Sequence, residues 1–479
     1  MSAVVTRTPR QARTNRTYRT RIARMRLEAS ERAKPLLASG AAPIRVMARM
    51  VNELVAECRA QKIPDKIIFQ EIVNRTIGDI DVRRISAEED GPEYSALADE
   101  MGLALPGEVI GGHTAIGERA RWIHQRMMDL ERELLAEHVD LRIYDIAGTG
   151  ALALLERIAA HIAREWDVNF PASAIYASLG SLDALGKFWQ GYMATVRQQN
   201  EPGAPHPQFS VIFPHPGFNV PEWQANNIGI RSQRIQTRAE DRFQVTPDSL
   251  AAALDAAPDA RALYLTIANN PTAFAYSPDE LAALYDLLDA RGSELLVIAD
   301  LAYSGTSDPD EDKARMQALA APGRRARTVY CGSFSKSHTL TGDRYGWVAF
   351  GSPELAQRLV VGWSNTTASL PADWQLRYMA TLELFAAHPE IEARLRDLYR
   401  LRRGRLVRQL QAINEQTPLF ATINLDDGGT VYNWSQLAPS EDVFTLFGKT
   451  GIAGVPGGAF GYTDDYVRLS VGCIPVPAV

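Results

Sequence analysis

The chain has 479 residues, enough for two or three domains around a large buried core. Its 46% hydrophobic and 23% charged residues are the balance of a globular protein, and a formal net charge of -6 offers no global basic field to nucleic acid. No apolar run is long enough to cross a bilayer, and Cys58, Cys331 and Cys473 stand far apart without a CxxC pair. The expectation is therefore a cytoplasmic protein with no metal site, no disulfide framework and no nucleic-acid or membrane partner.

The first segment is rich in arginine, with Arg7, Arg10, Arg13, Arg16, Arg19, Arg21, Arg24 and Arg26 and no acid before Glu28. It lacks the apolar stretch of a secretory signal and reads as a solvated arm or one that packs on an acidic partner surface. From Pro43 the pattern is helical, with Val46, Met47, Met50, Val51, Leu54 and Val55 on one face. Pro64 opens a second helical stretch with Ile67, Ile68, Ile72 and Val73, and the acidic, Gly-Pro-containing segment Ala87 to Pro92 reads as a connector. Residues 1–106 are thus expected to form a helical N-terminal extension.

Strand and helix patterns alternate over residues 107–370. Strand-like runs occur at Ala174–Leu179, Ser210–Phe213, Ala262–Ile267, Leu295–Ala299 and Thr328–Cys331. Amphipathic helices are expected at Ala151–Trp166, Ser181–Arg197 and Asp279–Ala290. Short buried runs separated by helices predict an α/β fold, a mainly parallel sheet flanked by helices. Ligands in such sheets sit at the carboxyl ends of the strands.

Chemistry-bearing residues fall at those ends. Gly180 and Ser181, followed by Leu182, run from a strand into a helix, where free N–H groups suit a phosphate. Phe213-Pro-His-Pro-Gly-Phe218 follows the next strand, with His215 read as a loop histidine. Ala268-Asn-Asn-Pro-Thr272 and Asp300-Leu-Ala-Tyr303 follow two more. A bare Asp300 closing a buried strand is costly unless paired. Then comes Ser333-Phe-Ser-Lys-Ser-His-Thr-Leu-Thr-Gly-Asp-Arg344. Desolvation among small residues lowers the pKa of a lysine such as Lys336, and a neutral amine attacks carbonyls. Ser333 and Arg344 add a hydroxyl and a guanidinium suited to a phosphate.

Residues 371–479 read as a smaller α+β domain. A long helical stretch, Trp374 to Ile413, carries many arginines on what reads as a solvated face. Gly428–Trp434 alternates as a strand, and Arg468 lies in a second strand-like run, Tyr466–Gly472.

The order Gly-Ser, Pro-x-aromatic, Asn-Pro-Thr, Asp-x-x-Tyr and Ser-x-x-Lys with a following Arg resembles the class I/II aminotransferase family. These are fold-type I enzymes that use pyridoxal 5'-phosphate (PLP). The resemblance spans roughly Pro106 to Gly472, with Ala273 where the family has glycine and a much longer N-terminal lead-in. It implies that Lys336 bonds the cofactor and serves as base at Cα. It further implies that Asp300 pairs with the pyridine nitrogen, that Asn270 and Tyr303 hold the 3-oxygen, and that Phe218 stacks on the ring. Gly180, Ser181, Leu182, Ser333 and Arg344 would bind the phosphate. Tyr144, in Ile143-Tyr-Asp-Ile-Ala-Gly148, would reach a neighbouring subunit's phosphate in a homodimer, unless it is only a turn tyrosine. Arg468 would grip the substrate α-carboxylate, with Asn270 beside the amino acid. Trp363 and Asn365 would line an aromatic or polar side-chain pocket from the partner subunit, and the lack of a basic residue between Leu359 and Asp373 disfavours aspartate. The implied function is amino-acid transamination. The alternative is β/γ-elimination, replacement or carbon–carbon bond formation, for example on S-adenosylmethionine.

Overall fold

The computed structural model describes residues 9–78, 112–198, 208–425 and 431–472. The expected connector at Ala87–Pro92, the boundary at 106/107 and Cys473 lie outside them. The strands are β1 (Val73–Asn74), β2 (Ile175–Leu179), β3 (Ser210–His215), β4 (Arg231–Gln236), β5 (Ala260–Thr266), β6 (Leu296–Asp300) and β7 (Thr328–Ser333). They continue with β8 (Tyr345–Phe350), β9 (Phe420–Thr422), β10 (Tyr432–Leu437), β11 (Ile452–Ala453), β12 (Val455–Pro456) and β13 (Tyr466–Ser470). The chain divides into two compact units. No helix among the described residues is long and apolar enough to cross a membrane.

One unit spans Ile85–Leu401 with Asp426–Thr430. Its seven-stranded sheet has the order β2-β8-β7-β6-β5-β3-β4. The pairs β3–β4, β3–β5, β5–β6 and β6–β7 are parallel, while β8 runs antiparallel to both β7 and β2. The strand residues alternate between two buried faces. Leu263, Leu265, Val297 and Ala299 enter one core with Leu154, Ile158 and Leu284. Ala262, Tyr264, Ile298 and Val348 enter the other with Phe188, Trp189 and Trp363. Burial on both faces is why these strands read as near-continuous apolar runs. Helix starts follow local chemistry: Ser277 and Glu280 form a reciprocal capping box ahead of the helix Pro278–Ala290.

The second unit comprises Met1–Arg84, Arg402–Leu425 and Val431–Val479. Its four-stranded sheet has the order β12-β13-β10-β9, and β1 pairs in parallel with β11. The apolar stripe of the helix Pro43–Ala60 is buried as its periodicity requires, including Val46, Met47, Met50, Val51, Leu54 and Val55. The N-terminal helices are thereby an integral part of this unit. Arg75 N–H donates to Ala453 O at 2.9 Å, and Ser470 N–H donates to Arg75 O at 2.8 Å.

Two sequence expectations need correction. The stretch Trp374 to Ile413 is two helices, Ala372–Ala387 and Glu390–Gln416, separated at His388 and Pro389. Proline lacks the N–H that a continuous helix needs and clashes with the preceding turn. Nor is its arginine-bearing side wholly solvated, since Arg402 and Arg403 are buried and Arg403 donates to the Tyr432 carbonyl.

Candidate active site

Sheet topology gathers the chemistry-bearing residues of the first unit on one edge. Parallel β3, β5, β6 and β7 all end there. Leu179, the end of β2, is in register with Tyr345, the start of β8, and Ser333 is in register with Gly346. Gly180, Phe218, Asn270, Asp300 and Ser333 therefore follow or close strands at a common edge, Arg344 immediately precedes β8 there, and Lys336 is three residues beyond Ser333.

Gly180 adopts φ +83°, a conformation open to glycine at little cost. A Cβ there would sit 2.6 Å from Arg344 Nη2, and one on Gly346 would sit 2.5 Å from the Gly180 backbone. Glycine at both positions lets Arg344 lie against the turn that starts the helix Ser181–Gln198. Arg344 donates through Nη1 to Thr341 O at 2.9 Å and through Nη2 to Leu179 O at 3.4 Å. Ser333 Oγ donates to Ser335 Oγ at 2.9 Å and accepts from Ser335 N–H at 3.2 Å. Helix N–H groups, a guanidinium and hydroxyls are the donor set that a phosphate takes.

Asn270 and Tyr303 meet directly, Asn270 Nδ2 donating to Tyr303 Oη at 3.0 Å, both buried. Ala273 keeps the left-handed turn of a glycine, at φ +69°. Asp300 is 5% exposed. Its Oδ1 accepts from Ala302 N–H at 2.9 Å and its Oδ2 from Tyr264 Oη at 2.5 Å. Burial pushes its carboxyl above the usual range, and the Tyr264 and Ala302 donors pull it back. Among the described residues no cation pairs with it. Lys336 is half-buried, and its carbonyl accepts from Tyr399 Oη at 2.7 Å. Phe218 is half-buried, with its aromatic side chain at a cavity it shares with Tyr264, Thr266 and Asn269.

Trp363, Asn365 and Tyr144 are not at strand ends. Trp363 is wholly buried, donates from Nε1 to Ala177 O at 3.1 Å and packs edge-on against Tyr176. Its indole is part of the core that also holds Phe188, Trp189 and Phe350. Asn365 is exposed, and Tyr144 is 72% exposed. His215 is the buried last residue of β3, paired with Glu222 at 2.9 Å, where a loop histidine was expected. Arg468 belongs to the second unit, on β13. It is 2% exposed, donates from Nη2 to Thr76 O at 2.6 Å and faces the rings of Tyr432 and Phe460.

Sequence reasoning missed two features. One is Tyr264, which reaches Asp300 from the neighbouring strand. The other is a buried network behind the lysine loop. His338 Nε2 meets Glu392 Oε1 at 2.9 Å, Ser337 Oγ meets His338 Nδ1 at 2.7 Å, and Arg164 donates to His161 Nδ1 at 3.0 Å. Burial, and then the charge of Glu392, push the Glu165 carboxyl up. His161, Glu165 and Glu392 bring ligand atoms within 4.8 Å of one another, but Arg164 already supplies a cation there. A histidine two residues after a candidate catalytic lysine was the signal available in the sequence.

A two-faced, mostly parallel sheet that gathers these residues at its carboxyl edge has the architecture of fold-type I PLP-dependent transferases. The family described as aminotransferase class I and II matches residues 204–475, more than half of the sequence, and the chain belongs to that family. It is therefore an aminotransferase-family enzyme that uses PLP and acts on amino acids. The Bacillus subtilis (strain 168) protein YugH, which carries the name of an aminotransferase, is 25% identical over 68% of this chain and 78% of its own length. The aspartate aminotransferase of Rhizobium meliloti shares the fold with TM-score 0.62 and 19% identity, covering 88% of this chain and 90% of that one. YbdL of Escherichia coli, described with a methionine aminotransferase function, shares it with TM-score 0.58 and 22% identity, covering 79% and 91%.

Proposed function

We propose that the enzyme moves the amino group of an uncharged α-amino acid to a keto acid, with PLP held on Lys336. The observation that carries this reading is Asp300. It is a buried carboxylate with neutral donors only, on the same sheet edge as the lysine. Such a group calls for a cation, and a protonated pyridine nitrogen is one. When bound, PLP supplies an electrophilic carbonyl and an electron-withdrawing ring. Ser181, Leu182, Ser333 and Arg344, next to Gly180, are the proposed phosphate ligands. Asn270 and Tyr303 would hold the ring's 3-oxygen, and Phe218 would cover a ring face. Lys336 would move the proton at Cα. Arg468 is the proposed partner of the substrate α-carboxylate, since two parallel guanidinium donors suit a planar acceptor. The absence of Arg and Lys between Leu359 and Asp373 supports an uncharged side chain over a dicarboxylate.

The enzyme is proposed to work as a homodimer with Tyr144 acting across subunits. In support, Ile143, Tyr144 and Ile146 are 69%, 72% and 81% exposed, an apolar stretch suited to cover by a second copy. The function is tested with purified protein, PLP and a panel of amino acids that includes S-adenosylmethionine. Without a keto acid, product should stop at one equivalent per site, and turnover should resume when a keto acid is added. Repeated turnover with no acceptor would establish elimination or replacement instead. Lys336→Ala should abolish the visible cofactor band that borohydride bleaches in the wild type. A borohydride-fixed label on another lysine would refute the assignment.

A further inference from the structure

Tyr264 and Thr266 stand two residues apart on β5 and so share one face of the sheet. Strand register sets Thr266 beside Asp300 on β6, and Asp300 beside Cys331 on β7. Four side chains from three strands thus form one buried polar row within an otherwise apolar face. Thr266 Oγ1 donates to Tyr264 Oη at 3.3 Å, and Tyr264 Oη donates to Asp300 Oδ2 at 2.5 Å. Burial, and then the negative charge of Asp300, push the Tyr264 phenol well above its ordinary value. It keeps its proton and remains a donor. Burial likewise keeps Cys331 a neutral thiol, directed at Ser181 O at 3.5 Å.

We propose that Tyr264 is a positioning residue for Asp300: by donating to Oδ2 it lowers the basicity of the carboxylate, so that a proton shared with the cofactor's ring nitrogen stays on the nitrogen. This deepens, and rests on, the reading of Asp300 as the ring's partner. Asp300 has two strong donors, Tyr264 Oη and Ala302 N–H. Removing the first leaves a buried carboxylate with a single donor. A hydrogen bond to a charged group accounts for about a tenfold change in proton affinity, or more. The more basic carboxylate then draws the proton to itself, and the ring loses the positive charge that makes it an electron sink. Each carboxylate oxygen accepts more than one hydrogen bond, so Tyr264 and a ring N–H do not compete for the same lone pair.

The test loads wild type, Tyr264→Phe and Thr266→Val with PLP labelled with 15N in the ring. At neutral pH the wild-type 15N shift should be that of a protonated pyridine. Tyr264→Phe should move it toward the unprotonated value and slow hydrogen–deuterium exchange at Cα of a bound amino acid about tenfold. Cofactor affinity and the melting temperature of the cofactor-free protein should change little. Thr266→Val, which removes the hydrogen bond to Tyr264, should shift the 15N signal in the same direction by less. A folded, cofactor-bound Tyr264→Phe with the wild-type 15N shift overturns the proposal. If that variant does not fold, an unmoved signal in Thr266→Val does the same. An unprotonated ring in the wild type itself, with the label fixed on Lys336, would instead remove the role of Asp300 on which the proposal stands.

Discussion

At the scale of single residues, the candidate phosphate corner depends on Gly180. Its φ of +83° and the 2.6 Å approach of Arg344 Nη2 to a would-be Cβ leave no room for a methyl group. Gly180→Ala should cost about 1–2 kcal/mol in backbone strain. It should also push Arg344 away from the start of the helix Ser181–Gln198. The expected outcome is a lower melting temperature and cofactor binding weaker by about tenfold, read by titration of the visible band. Unchanged binding would show that Arg344 has no part in holding the phosphate. Ala273 is the converse case. It accepts a left-handed φ that glycine adopts more readily, and the turn after Asn270 is kept.

At the scale of elements, the helices Leu152–Trp166 and Glu390–Gln416 meet the lysine loop through Glu165, Glu392, His161 and His338. Burial, and then the charge of Glu392, push Glu165 up to about 7, whereas His338 and the other donors hold Glu392 at about 2. His161 is held neutral by burial, at about 3. For Glu165 the folded value lies above the unfolded one. Its protonated form therefore contributes stability that is fully present below about 4.5. That contribution is lost as pH rises toward 7. Glu392, with a depressed value, contributes stability above about 4.5 that is lost as pH falls toward 2, so it adds no slope between 4.5 and 7. Glu165→Gln fixes the neutral form. It should match the wild type in denaturant unfolding at pH 5 and exceed it at pH 8. Equal pH slopes for both proteins would show that the surroundings of Glu165 do not raise its carboxyl. The same network sets His338 two residues from Lys336, so the cost of burying these groups is spent where the loop needs a fixed shape.

At the scale of the whole molecule, the proposed dimer makes a separate claim. Ile146 is 81% exposed, and Ile143 and Tyr144 beside it are also exposed. A charge placed there has little effect on a solvated loop but is costly in an apolar interface. Ile146→Asp should therefore shift the protein toward monomer in sedimentation, weaken cofactor binding and leave the melting temperature of the monomer unaltered. A dimer that survives Ile146→Asp with full activity would place the interface elsewhere. The helix Pro43–Ala60 buries its apolar stripe, and it belongs to the unit that also holds β9 to β13.

The alternation of buried runs and amphipathic helices was enough for the class of fold, and five of the seven strands of the large sheet lay within a few residues of their expected places. Those five are apolar, and local pattern carries that information. β4, Arg231–Gln236, is a polar strand at the end of the sheet order, and it was invisible because an edge strand needs little burial. The candidate residues from Gly180 to Arg344 were legible for a related reason: they sit close to strand ends, or in Arg344's case just before a strand, within short motifs. What the sequence did not disclose were partners brought together from distant segments. Tyr264 reads as a core tyrosine until the register of β5 against β6 puts it on Asp300. His161, Glu165, His338 and Glu392 carry no shared motif, and Trp363 looked available until the sheet buried it. Short-range pattern encodes which face of a strand is apolar. Only long-range packing decides which polar group that face brings to a buried charge.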